Sequence, residues 1–310
     1  MARKINLENI VLIPSKDRYE LELAKWGSEE SARKRFSSGQ LWNRVLESHH
    51  RQKMNLQEIS RIGVNFMDRS QLVPEIIQKK DLFVILGGDN HFTYCCQEVL
   101  RYEQSNPDNQ KLVLGCVLDP SKSVGALLYF DTQSFLGNLD NFEKGLYELE
   151  HWTALEAKVD GEVAYPAVGD YFVGEKNRLY MSRNLVYLEG KQILPEKSSG
   201  LLVVAGAGSG PGSWYDNIHC DRYGRPDSFA KSEECCRIIA TEEKSRSKAV
   251  MSKAQTLIIE SYNDDKGIIV PDSHIDHGVA FGMGSSCKIV VSDTKLHVVR
   301  PIDALTSKVR

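Results

Sequence analysis

The 310-residue sequence predicts a two-part chain: an α/β domain, a parallel sheet with flanking helices, over residues 1–130, and a β-rich, sandwich-like domain over 131–310. Two observations carry this reading. In the first part, apolar runs of the fully buried kind alternate with helical segments in the order βαβαβ, which is how a parallel sheet is built. In the second, short β-type runs are bounded by Gly, Asn, Asp and Ser, the texture of a sandwich or meander. The composition, 41% hydrophobic and 26% charged, suits a chain that buries a sizeable core.

Taken in order, Asn9–Ser15 (NIVLIPS) reads as a first buried strand, and Tyr19–Ile62 as helices with apolar residues at helical intervals such as Leu41, Val45 and Leu46. DLFVILGG, ending at Gly88, is the second strand. The segment HFTYCCQEVLRYEQ then places Phe92, Cys95, Cys96 and Val99 at i, i+3, i+4 and i+7, one helix face. KLVLGCVLD is the third strand. Beyond residue 131, RLYMSRNLVYLEGKQILPE, SGLLVVAGAG, QTLIIESYND, GIIVP and CKIVVSDTKLHVV are the β runs. The last reads as a hairpin closed around Ser292-Asp293-Thr294-Lys295, leaving the C-terminal tail able to pack back on the first domain.

Composition also narrows the partners. The 39 basic residues are interspersed with 42 acids for a net charge of −3, which argues against a nucleic-acid or membrane surface and for a small molecule or another protein. Seven cysteines, an odd number with two adjacent pairs and no CxxC, imply reduced thiols and neither a disulfide framework nor a zinc site. No run approaches the roughly 18 apolar residues of a spanning helix. The chain reads as cytoplasmic, with an organelle open if a leader was removed.

In an open parallel sheet the ligand crevice lies at the carboxyl ends of the strands, where Gly87-Gly88-Asp89-Asn90 falls. Glycine allows positive φ and close approach of the backbone to a ligand, and the amides that open the next helix suit a phosphate. Asp89 could there accept a hydroxyl proton or help order a metal-bound phosphate. The competing reading is a tight turn with Asp89 or Asn90 as helix N-cap. A second glycine cluster, Ser198–Asn217 (SSGLLVVAGAGSGPGSWYDN), sits on a buried strand and ends in Trp214-Tyr215, which favours a ligand-binding loop over a linker. It lacks the dinucleotide fingerprint, because Pro211 stands where the third glycine is needed. DSHIDHG (Asp272–Gly278) reads as a polar loop and not a metal site, since at strand spacing His274 and Asp276 share one face and His277 takes the other. His49-His50 reads as helix surface or pocket rim, Cys95 and Cys96 as core.

Together these segments resemble the NAD kinase family, most closely its mitochondrial-type branch. The family's GGDG corresponds to Gly87-Gly88-Asp89-Asn90, and GCVLDPSKSVGALLYF puts Asp119, Ser123 and Gly125 at family positions. AVGDYFVGE looks like the Asn-Glu segment, SSGLLVVAGAGS like the segment that lines the NAD pocket, and RYELE and LESHHRQKMN add to a likeness running from about residue 9 to about 217. The departures are Asn90 for glycine, His91 for threonine, Val117 for asparagine, Gly169-Asp170 for Asn-Glu, and Gly210-Pro211 as an insertion. Asparagine tolerates the left-handed backbone, so the turn survives Asn90.

The resemblance implies an NAD kinase-like, diacylglycerol kinase-like fold with NAD between the domains, and ATP-dependent phosphorylation of the adenosine-ribose 2′-hydroxyl. It implies Asp89 as catalytic base, with Gly87, Gly88, Asn90, His91, Phe92, Asp119, Ser123, Gly169, Asp170, Gly206, Ala207, Gly208 and Ser209 around the nucleotides. Mg2+ would arrive with ATP and no protein metal ligand is assigned; a homodimer is implied by likeness alone. The alternatives are a catalytically weakened relative that binds a nucleotide as sensor or scaffold, and a kinase for another nucleotide.

Overall fold

The computed structural model describes residues 3–122, 125–223, 227–242, 248–264 and 266–302. The chain divides into two compact units, one of Met1–Phe92, Lys111–Leu149 and Val299–Arg310, the other of Thr93–Gln110 and Glu150–Val298. Among the described residues no helix is long and apolar enough to cross a membrane.

In the first unit β1 (Ile10–Pro14), β2 (Leu82–Gly87), β3 (Leu112–Val117) and β4 (Phe130–Asp131) lie side by side, all parallel. The register aligns Ile10 with Leu82 and Leu112, and Leu12 with Val84 and Leu114. Because side chains alternate along a strand, Leu12, Val84, Leu114 and Cys116 share one face, where they form a core with Ile59, Phe135 and Phe142. The region read as helical holds α1 (Arg18–Trp26), α2 (Glu29–Arg33) and α3 (Gly39–Ser60), followed by α4 (Pro74–Lys79). Asp17 and Glu20 form a capping box at the start of α1, and Gly27 ends it in the left-handed conformation. The buried residues of α3 are Trp42 and Ile59; Val45 and Leu46, one turn on from Trp42, are half-buried on the same face as expected, and only Leu41, 44% exposed, falls off it. α5 (Asp89–Ser105) follows β2 and from Thr93 onward belongs to the second unit, while α6 (Thr132–Gly137) and α7 (Leu139–Lys144) follow β4 within the first.

The second unit is a β-sandwich. Its strands are β5 (Glu148–Val159), β6 (Glu162–Val163), β7 (Asp170–Glu175), β8 (Ser182–Leu188), β9 (Lys191–Gln192), β10 (Lys197–Ser198), β11 (Leu201–Val204), β12 (Cys235–Ala240), β13 (Lys248–Ser252), β14 (Leu257–Ser261), β15 (Gly267–Pro271), β16 (Val279–Ala280) and β17 (Ser286–Arg300). One sheet runs β13-β12-β11-β7-β15-β16; in the other, β17, β14, β8 and β10 are neighbours and β5 pairs with β17. Tyr171, Val203, Ile238 and Ile269 from the first face Val186, Ile259, Cys287 and Ile289 from the second in a single core. On its other side the six-stranded sheet is covered by α8 (Trp214–Tyr223), with Tyr215 packed on Leu202, Val204 and Ile239.

The hairpin expected around Ser292–Lys295 does not form: β17 runs through it as one strand. Val291 and Ser292 are both buried, which breaks the alternation, and the Ser292 hydroxyl accepts the Thr294 amide at 3.0 Å while donating to Glu156. A local irregularity anchored on β5 thus absorbs the polar turn residues, since cross-strand pairing outweighs local turn preference. Cys95, Cys96, Cys116, Cys235, Cys236 and Cys287 are all buried thiols.

Candidate active site

β2 ends at Gly87 and α5 begins at Asp89, with the Gly88 carbonyl accepting the Phe92 amide at 3.0 Å to open the helix. Neither glycine has positive φ, and Asn90 lies inside the first helical turn, so left-handed tolerance is not what the turn requires. Gly87 is needed for close approach: a Cβ there would stand 2.6 Å from the Ser15 hydroxyl oxygen. Asp89 does not cap its own helix. Its Oδ1 accepts the Leu127 amide at 2.9 Å and its Oδ2 the Ala126 amide at 3.1 Å, which fixes the carboxylate and leaves each oxygen a further lone pair.

Beside this turn a cavity of about 390 Å³ is bounded by Ser15, Lys16, Asp68, Arg69, Asn90 and His91. Lys16 lies 3.7 Å from Asp68. The His91 ring is buried with Nε2 3.0 Å from the Ile13 carbonyl, and burial pushes the imidazole down to about 4 despite that bond. It therefore stays neutral at pH 7 with the proton on Nε2, and the cavity's positive charge rests on Lys16 and Arg69. Phe92 faces the core, fully buried against Gly115.

Asp119 is also internal. Arg51 approaches it through two nitrogens at 3.2 and 3.1 Å, and Ser48 and Ser121 donate their hydroxyls at 2.6 Å each. Burial pushes this carboxyl up, but the hydrogen bonds from Arg51, Ser121 and Ser48 outweigh it and hold the group at about 2. Its role in the structure is to pin the loop after β3 onto α3. Ser123 lies outside the described residues.

In the second unit Gly169, Asp170 and the 3-10 turn Gly206–Ser209 come together. A Cβ on Gly208 would meet the Gly169 carbonyl oxygen at 2.3 Å, so that position excludes a side chain, whereas one on Gly169 would meet Asp272 Oδ1 at 3.1 Å, a tight contact to which the carboxylate would have to yield. Gly206 is equally closed, its Cβ position 2.2 Å from the Ala230 carbonyl oxygen, and Ala207 is buried. Ser209 donates to the Gly206 carbonyl at 2.8 Å and accepts the Phe229 amide at 3.0 Å, so its hydroxyl closes the turn. This cluster is a buried, shaped turn and not a linker. Asp272 organises it: Oδ1 accepts the Gly169 and Asp170 amides at 2.6 and 3.0 Å, and Oδ2 accepts the Val168 amide at 2.9 Å and the Gln97 amide at 2.6 Å. Asp170 has a buried Oδ1 with no hydrogen-bond partner. Burial and the adjacent Asp272 raise its carboxyl to about 7. Burial raises Asp272 as well, opposed by its four donors, and those donors keep the charge on Asp272 and the proton on Asp170.

With this geometry in hand, two solved structures align over nearly the whole chain. Yeast NADH kinase, complexed with NADH, superposes with a TM-score of 0.65 at 12% identity over 96% of this chain and 84% of its own. An NAD kinase from Archaeoglobus fulgidus, in complex with ATP, gives 0.58 at 16% identity over 93% and 92%. The chain has the NAD kinase fold. No protein-family model and no curated relative matches the sequence.

Within this NAD kinase fold, sequence reasoning located the turn and the glycine cluster but missed their supports. Ser15, Lys16, Asp68 and Arg69 carry no glycine signal, and the signal for Ser15 and Lys16 is their place just beyond the carboxyl end of β1, beside that of β2. DSHIDHG is a loop, but not a strand-spaced one: Ile275–His277 is a 3-10 turn and His274 and His277 are both buried. Gln97, mid-helix and polar, carried no signal beyond its type.

Proposed function

We propose that the chain is an NAD kinase, transferring the γ-phosphoryl of ATP to the 2′-hydroxyl of the adenosine ribose of NAD. The observation that carries this is Asp89, a carboxylate at the carboxyl end of a parallel strand, held by two backbone amides and not spent on capping its own helix. Each Asp89 oxygen retains a lone pair able to accept a hydroxyl proton. The first amides of α5, with Lys16 and Arg69 on the adjoining cavity, offer the donors that phosphates need. In the other unit Asp170 and the Gly206–Ser209 turn would meet the dinucleotide, with Asp170 as the polar contact.

Among the described residues no group of three or more His, Cys, Asp or Glu side chains could hold a metal ion. In this reading magnesium would come with the nucleotide and would neutralise charge on the transferred group. The chain's own task is positioning: the Asp89 carboxylate against the acceptor hydroxyl, cations against the phosphates.

A coupled assay for NADP with ATP and magnesium tests this reading. Asp89→Asn keeps the shape and removes the base, and the turnover expected to be lost is about 10²-fold or more. NADP formation that is absent, or indifferent to Asp89→Asn, overturns it. A second reading, a nucleotide-binding sensor or scaffold with weakened catalysis, is favoured by Asp119 and Ser209, whose polar atoms are engaged internally. NAD binding without turnover would select it.

A further inference from the structure

Behind Asp170 lies a buried relay that the proposed chemistry does not itself require. Gln97 on α5 donates its amide to Asp272 Oδ2 at 2.6 Å, and a carboxylate accepting three backbone amides can only accept there too. That fixes the side-chain amide: its NH2 faces Asp272, so Oε1 faces the His277 Nδ1, 2.5 Å away. A carbonyl oxygen only accepts, so Nδ1 must carry the hydrogen. The ring cannot turn away, because it lies parallel to Tyr165 at 3.8 Å between centroids and stacks on Tyr94 at 4.4 Å. Glu98 Oε1 stands 3.4 Å from Nε2 at the far end.

At the near end, Asp272 holds three consecutive amides, Val168 to Asp170, and does so from a left-handed backbone with φ of 47°, followed by Ser273 at 63°. The left-handed backbone is unfavourable for a non-glycine residue, less so for Asp than for Ser, so this consecutive pair persists because the surrounding bonds hold it. The Asp170 carboxyl sits on the last of the three amides, with its Oδ1 unpartnered.

We propose that His277 and Gln97 are positioning residues for Asp170: through Asp272 they fix the backbone at 168–170 and thereby aim the Asp170 carboxyl at its ligand. The kinetic part of this rests on the NAD kinase reading, and the structural part does not. His277→Leu removes the Nδ1 donor while leaving an apolar body between the two tyrosines. His277→Asn places an amide nitrogen where Nδ1 was and restores the donor.

The test is made on the full chain with two readouts. At saturating ATP and magnesium, His277→Leu is expected to raise KM for NAD about tenfold, the loss of about one good hydrogen bond's orientation, with kcat within about twofold. His277→Asn should return KM toward wild type. Without any nucleotide, amide hydrogen exchange at Val168, Gly169 and Asp170 should quicken in His277→Leu and be slow again in His277→Asn. If the leucine variant unfolds, Gln97→Met cuts the relay on α5 with a side chain of like length and is expected to give the same pattern. An asparagine variant as impaired as leucine, or exchange at the three amides unmoved by either cut, overturns the relay. If wild type makes no NADP but the exchange pattern holds, the functional reading fails and the relay stands.

Discussion

Single atoms decide most at the strand-end turn. Two glycines before an aspartate announced a turn in the sequence, but which glycine matters, and why, depends on Ser15, 72 positions away from Gly87 and invisible to local pattern. Gly87→Ala would set a methyl 2.6 Å from the Ser15 hydroxyl oxygen and 2.9 Å from its Cβ, closer than side chains pack. The expected cost is about 1–3 kcal/mol from overpacking, read as a lower urea midpoint. Ser15→Gly in the same chain should recover most of it, because the obstruction is one side chain. If the second change recovers nothing, the obstruction lies in the backbone instead.

The elements show where sequence reading works and where it stops. Buried strands such as β2 and β3 and the face of α5 through Phe92, Cys95, Cys96 and Val99 were legible, because apolar periodicity records burial directly. β17 was not, because Ser292–Lys295 carries local turn chemistry that only pairing with β5 overrides. The meeting of β7 with the Gly206–Ser209 turn was half legible: the glycines were visible, but their reason is mutual contact. Gly208→Ala sets a methyl 2.3 Å from the Gly169 carbonyl oxygen, a backbone atom that cannot rotate aside. We expect Gly208→Ala to destabilise the fold by about 1–3 kcal/mol and to weaken NAD binding, whereas Gly210→Ala, which has open space, should do neither. Calorimetric titration and thermal melting of the two variants check this, and equal effects would show that the contact is not what limits the turn.

For the molecule as a whole, buried titratable groups pull stability in opposite directions with pH, and the signs follow from proton counts. His91 and His297 are pushed down to about 4 by burial, His297 further by His151 beside it. In the unfolded chain they take protons near pH 6.5, so each contributes stability above that pH that is lost as pH falls toward 4. Asp170 is the reverse: raised to about 7 by burial and Asp272, it contributes stability that is present below its unfolded value near 3.8 and is lost as pH rises toward 7. Each group changes the slope of stability by about 1.4 kcal/mol per pH unit inside its window. Between pH 4 and 6.5 the windows overlap, and single variants separate them. Asp170→Asn should gain stability relative to wild type as pH rises from 4 to 7, since it deletes a group that resists ionisation, while His297→Asn should gain as pH falls from 6.5 to 4. Urea midpoints for the three proteins at half-unit intervals give the two difference curves. Their slopes must be opposite in sign; parallel curves would mean that the Asp170 proton and the neutral histidine are not what the burial at these sites enforces.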